Sequence, residues 1–282
     1  MDKKNLLTRT LAGIVYIAVL LLGIFGGKHA FMAVFGVVTA IALYEFYRMV
    51  ENETTHAISK IFNIVFGVLI FFSAYLFLED VIKYVFPATV LAYLLALFVS
   101  GIVLNRNDIL QSIIFSVFGQ IYITLPFSLL LLLSYHYTHT DNEYHNVLML
   151  AIFVFIWVND SFAYLVGSLF GKHKLIQRIS PKKSVEGFVG GIIFTIAAGL
   201  IFAHFTPGYS TGFWIGYALV VSLFGTIGDL FESLIKRTFG VKDAGHIIPG
   251  HGGILDRIDS LLIVIPAIYL YLMIFMDILP FA

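Results

Sequence analysis

Nine stretches of mostly apolar residues recur along the chain, near 10–26, 30–50, 58–78, 82–104, 109–135, 146–170, 186–205, 212–238 and 255–279. Each is close to the roughly 20 residues that a helix needs to cross the hydrocarbon core of a bilayer. Polar or turn-forming residues separate them, as at Gly26-Gly27-Lys28, Glu51-Asn52-Glu53, Asn105-Arg106-Asn107-Asp108 and Thr206-Pro207-Gly208. The runs lack the ten-residue alternation of a membrane barrel. In lipid a helix satisfies its own backbone polar groups. The pattern predicts an all-α integral membrane protein, a polytopic bundle of about nine transmembrane helices.

Composition removes the competing classes. Apolar residues make up 60% of the 282 residues and charged residues 12%, against about 45–50% and about 25% in a soluble domain. Mean hydropathy is +0.95. A soluble fold, a disordered chain and a basic nucleic-acid binder are all excluded. The chain has no Cys, which removes thiolate nucleophiles, thiolate metal sites and disulfides.

Lys3, Lys4 and Arg9 precede the first run, the outline of a secretory signal. No small-residue cleavage site follows it, so a retained anchor is expected. Nine spans place the termini on opposite sides. Fifteen of the 17 Lys and Arg then fall on the N-terminal side, and only Lys28 and Lys83 on the other. By the positive-inside rule the N-terminus and the even-numbered loops face the cytoplasm and the C-terminus lies outside. The lack of a long polar N-terminal extension favours a bacterial plasma (inner) membrane.

Charge divides the chain by function. Residues 1–150 read as scaffold with about five spans. Residues 151–282 read as a catalytic part with about four spans and cytoplasmic loops. Ionisable groups at membrane depth are expensive and point to function. Asp160 lies mid-span in Asn159-Asp160-Ser161, as a packing hydrogen bond or as a cation ligand. In the loop Gly171 to Gly187, Lys182 and Lys183 precede Ser184, a helix cap, and Glu186 in the first turn. Blandly this is a patch for anionic lipid heads; functionally, cations beside free helix N–H groups suit phosphate. In span eight, Asp229, Glu232, Ser233 and Lys236 share one helix face, as an internal salt bridge or as a polar lining. In the next connection, Pro249-Gly250-His251-Gly252-Gly253 cannot be helical and forms a candidate phosphate nest. Asp256 and Asp259 follow at i, i+3. Carboxylates without Cys suit a hard cation such as Mg²⁺. Acids, cations and glycines together read as metal-assisted chemistry on a phosphorylated substrate at the cytoplasmic interface.

Ser233-x-x-Lys236-Arg237, Lys242-Asp243 and Pro249-x-His251-Gly252-Gly253-x-x-Asp256-Arg257-x-Asp259 resemble the signature of the phosphatidate cytidylyltransferases, or CDP-diacylglycerol synthases. Asn159-Asp160 and Ser180-Pro181-Lys182-Lys183-Ser184-x-Glu186-Gly187 resemble further segments of that family. The resemblance implies CMP transfer from CTP to phosphatidate, dependence on Mg²⁺ and often a dimeric state. It assigns metal to Asp229 and Asp256. Asp160 is a further metal candidate, and Asp259 a candidate for a second ion, divalent or monovalent, or for orientation. Lys236, Arg237, Lys242 and Arg257 would steady phosphates, with Lys182, Lys183, Ser184, Glu186, Ser233, Asp243, His251, Gly252 and Gly253 around them. The competing class is a transporter, which predicts repeat-related halves with broken helices; no repeat is visible. A polyprenol or dolichol kinase is the other enzyme reading. Gly187-x-x-x-Gly191 and Gly208-x-x-x-Gly212-x-x-x-Gly216 permit close helix packing, within the chain or in a homodimer.

Overall fold

The computed structural model describes residues 3–51, 59–104, 108–136, 145–248 and 252–278. They form ten α-helices: α1 Lys3–Phe25, α2 Gly27–Val50, α3 Lys60–Leu78, α4 Val85–Val103, α5 Ile109–Gly119, α6 Leu125–His136, α7 His145–Phe170, α8 Val185–Phe205, α9 Thr211–Thr238 and α10 Leu255–Ile278. A π-helical turn, Gln120–Thr124, joins α5 to α6 into one span. Eight helical stretches among the described residues are long and apolar enough to cross a membrane, and α1 adds a shorter one, Thr10–Phe25. The protein is a polytopic all-α membrane protein, as the apolar runs predict.

The chain forms two compact units. The first comprises Met1–His136 and Thr238–Arg257; the second comprises Tyr137–Arg237 and Ile258–Ala282.

In the first unit, buried polar side chains tie the helices together. Asn63 of α3 accepts from Tyr93 Oη of α4 at 2.8 Å and donates to Ser116 Oγ of α5 at 3.1 Å. Gln120 donates to the Asn63 carbonyl at 2.7 Å, and Tyr47 Oη of α2 donates to the Ser116 carbonyl at 2.6 Å. Without water to compete, paired groups of this kind fix helix positions. The π turn has a local cause. Pro126 has no N–H to return to the carbonyl four residues earlier, and the Leu125 N–H bonds instead to the Gln120 carbonyl, one residue further back. At one end of this unit Lys28 pairs with Glu79 at 2.5 Å. Lys60 pairs with Glu51 between α2 and α3.

In the second unit, glycines let α7 and α8 touch backbone to backbone. A Cβ on Gly187 would lie 2.6 Å from the Ala163 carbonyl oxygen, and one on Gly191 3.0 Å from that of Asn159. Gly216 of α9 likewise receives Tyr271 of α10. Gly187, Gly191 and Gly216 are thus used for packing inside the chain, whereas a Cβ on Gly208 would meet open space and one on Gly212 only Ser210 Oγ at 3.9 Å. Aromatic residues fill the α7, α9 and α10 core, where Trp214 and Tyr217 are wholly buried and Tyr217 Oη donates to the Leu148 carbonyl at 2.9 Å. The segment between α7 and α8, expected as a plain loop, folds into a short antiparallel hairpin. Its strands are β1 Lys174–Ile176 and β2 Ser180–Ser184, with Lys174 opposite Ser184 and Ile176 opposite Ser180.

Candidate active site

Asn159 anchors the centre of the second unit. It is 2% exposed, and its Oδ1 accepts from Ser222 Oγ of α9 at 2.5 Å. Its amide also reaches Asp160 Oδ1 at 3.5 Å. The packing reading of this pair therefore holds for Asn159, while Asp160 remains exposed on a cavity.

That cavity has a volume of about 370 Å³ and is lined by Asp160, Lys182, Lys183, Ser184, Thr226 and Asp229, among others. Ser184 caps α8, its Oγ accepting from the Gly187 N–H at 3.1 Å. The hairpin brings its lysines beside that helix start. Lys183 Nζ lies 2.6 Å from Asp229 Oδ2, with the two side chains 28% and 30% exposed. Ser233 Oγ donates to the other oxygen, Asp229 Oδ1, at 3.3 Å. One turn on, Glu232 is wholly buried and paired with Lys236 at i, i+4, so the salt-bridge reading of this stripe is correct for Glu232. Asp229 reaches across to the hairpin instead. Arg237 is exposed at the end of α9.

Asp259 of α10 joins the same group. It lies within electrostatic reach of Asp229, Glu232 and Asp160, and its Oδ1 accepts from the Ser260 N–H at 2.6 Å. Gly228 makes this approach feasible. A Cβ there would lie 2.8 Å from the Asp259 carbonyl oxygen and 2.9 Å from Ser260 Cα. The helices therefore meet backbone to backbone beside both aspartates.

Glu186, expected near phosphate, holds the hairpin instead. Its carboxylate accepts from the Lys172 N–H at 3.0 Å and the His173 N–H at 3.2 Å, and pairs with His173 Nδ1 at 2.6 Å.

The rest of the signature belongs to the first unit. Asp256, in the first turn of α10, accepts from the Ala244 N–H at 3.0 Å and the Gly253 N–H at 2.8 Å. Gly252 has φ of +87°, which glycine adopts without strain, and the Ile248 N–H bonds to its carbonyl at 2.9 Å. Lys242, Asp243 and Arg257 are exposed. His251 lies outside the described residues. Sequence reasoning passed over Glu45 of α2, which is 1% exposed and accepts from the Leu255 N–H at 2.8 Å. The signal was present: an acid inside the apolar run 30–50. Gly228 carries no such signal, because nothing in one helix shows what another helix presses against it.

The donors fit a hard divalent cation. Four acids, Asp160, Asp229, Glu232 and Asp259, gather in the second unit, where Lys183 pairs with Asp229 and Lys236 with Glu232. Among the described residues no three His, Asp or Glu side chains form a ready cage. Mg²⁺ does not require one, since it usually takes one or two carboxylates together with substrate phosphates and water.

The model of the "Cytidylyltransferase family" matches residues 7–275. A phosphatidate cytidylyltransferase of Bacillus subtilis (strain 168) is 34% identical over 279 residues, covering 97% of this chain and 98% of the relative. One of Staphylococcus aureus (strain COL) is 48% identical over 126 residues, 44% of this chain and 48% of the relative. One of Staphylococcus haemolyticus (strain JCSC1435) is 42% identical over 140 residues, 49% and 53%. The chain thus spans about half the length of the staphylococcal relatives it matches. The match over nearly the whole chain, taken with the acids, lysines and capped helix described above, places the protein: the chain belongs to the cytidylyltransferase family.

Proposed function

We propose that this protein transfers CMP from CTP to phosphatidate, giving CDP-diacylglycerol and pyrophosphate at the cytoplasmic face of a bacterial plasma membrane. The observation that carries the reading is the cavity in which Lys182, Lys183 and the capped N-terminus of α8 stand beside Asp160 and Asp229. Cations and free amides suit a triphosphate, and the acids suit its counter-ion.

The phosphate oxygen of phosphatidate is anionic at neutral pH and needs no enzyme nucleophile, in keeping with a chain that has no Cys. It attacks the α-phosphorus of CTP in line, forming the new P–O bond. The bond from the α-phosphorus to the β-bridging oxygen breaks, and its electrons leave with pyrophosphate. Bringing two anions together and placing charge on the leaving oxygen are the main barriers. Lys182 and Lys183 would meet the first. Lys236, Arg237, Lys242 and Arg257 would steady the triphosphate and the lipid phosphate. Asp229, with Asp160 and Asp259 as further candidates, would hold Mg²⁺, a role that the family resemblance gives to Asp256 as well, and the ion would neutralise charge on the triphosphate and the leaving group. CTP cannot enter lipid and phosphatidate cannot leave it, so a cleft at the inner interface is where both meet. The positive-inside bias supports that orientation, with the C-terminus outside. A homodimer is compatible with the family resemblance.

Purified protein incubated with phosphatidate and a polyprenol, in parallel with α-labelled and with γ-labelled CTP, should yield CDP-diacylglycerol labelled from the α-position and one pyrophosphate per turnover. Label moving from the γ-phosphate to a polyprenol, with none reaching phosphatidate, would overturn the reading.

A further inference from the structure

We propose that Glu45 is a positioning residue: its carboxylate, held inside α2, fixes the backbone of Gly245 and of Gly253 to Leu255, and through it the direction of the Asp256 carboxylate. The inference deepens the proposed activity and rests on it for its kinetic readouts.

Three observations carry it. First, Glu45 is 1% exposed within a membrane helix, where an acid has no reason to be unless it meets a specific partner. Second, its partners are backbone. Glu45 Oε2 accepts from the Leu255 N–H at 2.8 Å. Leu255 is the first residue of α10, where free amides and the helix dipole favour a negative charge. Third, two glycines fold against the carboxylate. A Cβ on Gly253 would lie 2.5 Å from Glu45 Oε2, and one on Gly245 would collide with Oε1. The segment therefore closes on Glu45 only because these positions carry no side chain.

Asp256 binds the same stretch from the other side, through the Ala244 and Gly253 amides. The backbone at Ala244 and Gly245, and again at Gly253 to Leu255, thus meets two carboxylates, one from α2 and one from α10. Glu45 meets this segment through main-chain atoms. Its effect passes through Asp256, which the family resemblance assigns to metal. Groups that orient a metal ligand typically alter affinity or activity by about 10- to 100-fold when removed.

The test compares the parent protein with Glu45→Gln, Glu45→Asp and Gly253→Ala, all purified in detergent. Hydrogen exchange is followed for peptides covering 241–257, with the α8 peptide as internal control. Glu45→Gln should exchange about tenfold faster in the signature segment and unchanged in α8. Its kcat should fall about 10- to 100-fold, with the CTP KM within about threefold and a higher Mg²⁺ concentration at half-maximal rate. Glu45→Asp keeps the charge on a shorter arm and should recover part of both. A residue that only supports packing would change the folded fraction without moving the Mg²⁺ requirement. Glu45→Gln with parental exchange and parental Mg²⁺ dependence overturns the proposal. If Glu45→Gln does not fold, Gly253→Ala decides, because its methyl group displaces the same carboxylate: loosened exchange supports the proposal and parental exchange overturns it. If the parent itself fails to transfer CMP, the functional reading falls, and the exchange results alone still decide the role of Glu45.

Discussion

Gly228→Ala should impair the enzyme more than its chemistry suggests, because the new methyl group forces two helices apart beside two acids of the site. The added Cβ would sit 2.8 Å from the Asp259 carbonyl oxygen and 2.9 Å from Ser260 Cα. Comfortable contact lies near 3.5–4.0 Å, so α9 and α10 must separate locally by about 0.7–1 Å. Overpacking of this kind costs about 1–3 kcal/mol. Alanine's better helix propensity offsets about 1 kcal/mol of that, leaving a net loss between zero and about 2 kcal/mol. The protein should therefore still fold. The rate should respond more strongly, since a displacement of about 1 Å between reacting or binding groups lowers turnover on the order of 100-fold. Gly225→Ala is the matched control. It lies one turn earlier on α9, and its Cβ would meet Val264 at 3.7 Å and Ser260 at 3.9 Å, ordinary contacts. The assay is CMP transfer from labelled CTP to phosphatidate, with thermal unfolding in detergent measured in parallel. The control should stay within about twofold of the parent while Gly228→Ala falls toward one hundredth. Equal activity in the two variants refutes the claim that this helix contact sets the separation of Asp229 and Asp259.

Asp229→Ala and Asp256→Ala should each remain folded and lose at least about 100-fold in turnover; near-parental Mg²⁺-dependent rates would remove either residue from the metal set. Asp80→Ala and Lys83→Ala lie on the expected outer side and should leave CMP transfer within about twofold, as surface changes usually do; loss of activity in folded variants would count against the topology. Glu186→Ala strips acceptors from the Lys172 and His173 amides, so limited proteolysis within 172–184 should accelerate and the CTP KM should rise. Unchanged cleavage there would show that the hairpin holds without it. Chelation of divalent cations should abolish transfer, and Mg²⁺ should restore it; transfer persisting in chelator would contradict a metal requirement.

Much of this protein could be read before its coordinates, and the boundary has a physical basis. Apolar run length sets the helices, because lipid leaves the backbone few alternatives. Local contacts were legible too: Ser184 caps the next helix at i, i+3, and Glu232 meets Lys236 at i, i+4. Contacts between distant positions were not. Lys183 and Asp229 are far apart in sequence, and a helical wheel shows only that Asp229 faces inward, not which cation it finds. The hairpin between α7 and α8 was hidden because its strands are short and polar, SPKKS in β2, without the alternation that marks a half-buried strand. Glu45 escaped because a lone acid in an apolar helix carries no spacing information. Its partner is a main-chain amide 210 positions along the chain, and amides leave no mark in a sequence.

The Lys183–Asp229 pair also bears on how the chain is made. An unpaired aspartate raises the insertion cost of a membrane helix, by about 2.5–3.5 kcal/mol at the centre and by less toward the ends, where Asp229 stands in α9. Its lysine belongs to the hairpin ahead of α8, so it leaves the ribosome before α9 does. The acid is therefore synthesised after its neutralising partner. A chain permuted to synthesise α9 first would have to carry that charge through the translocon alone, and should be inserted less efficiently than the natural order.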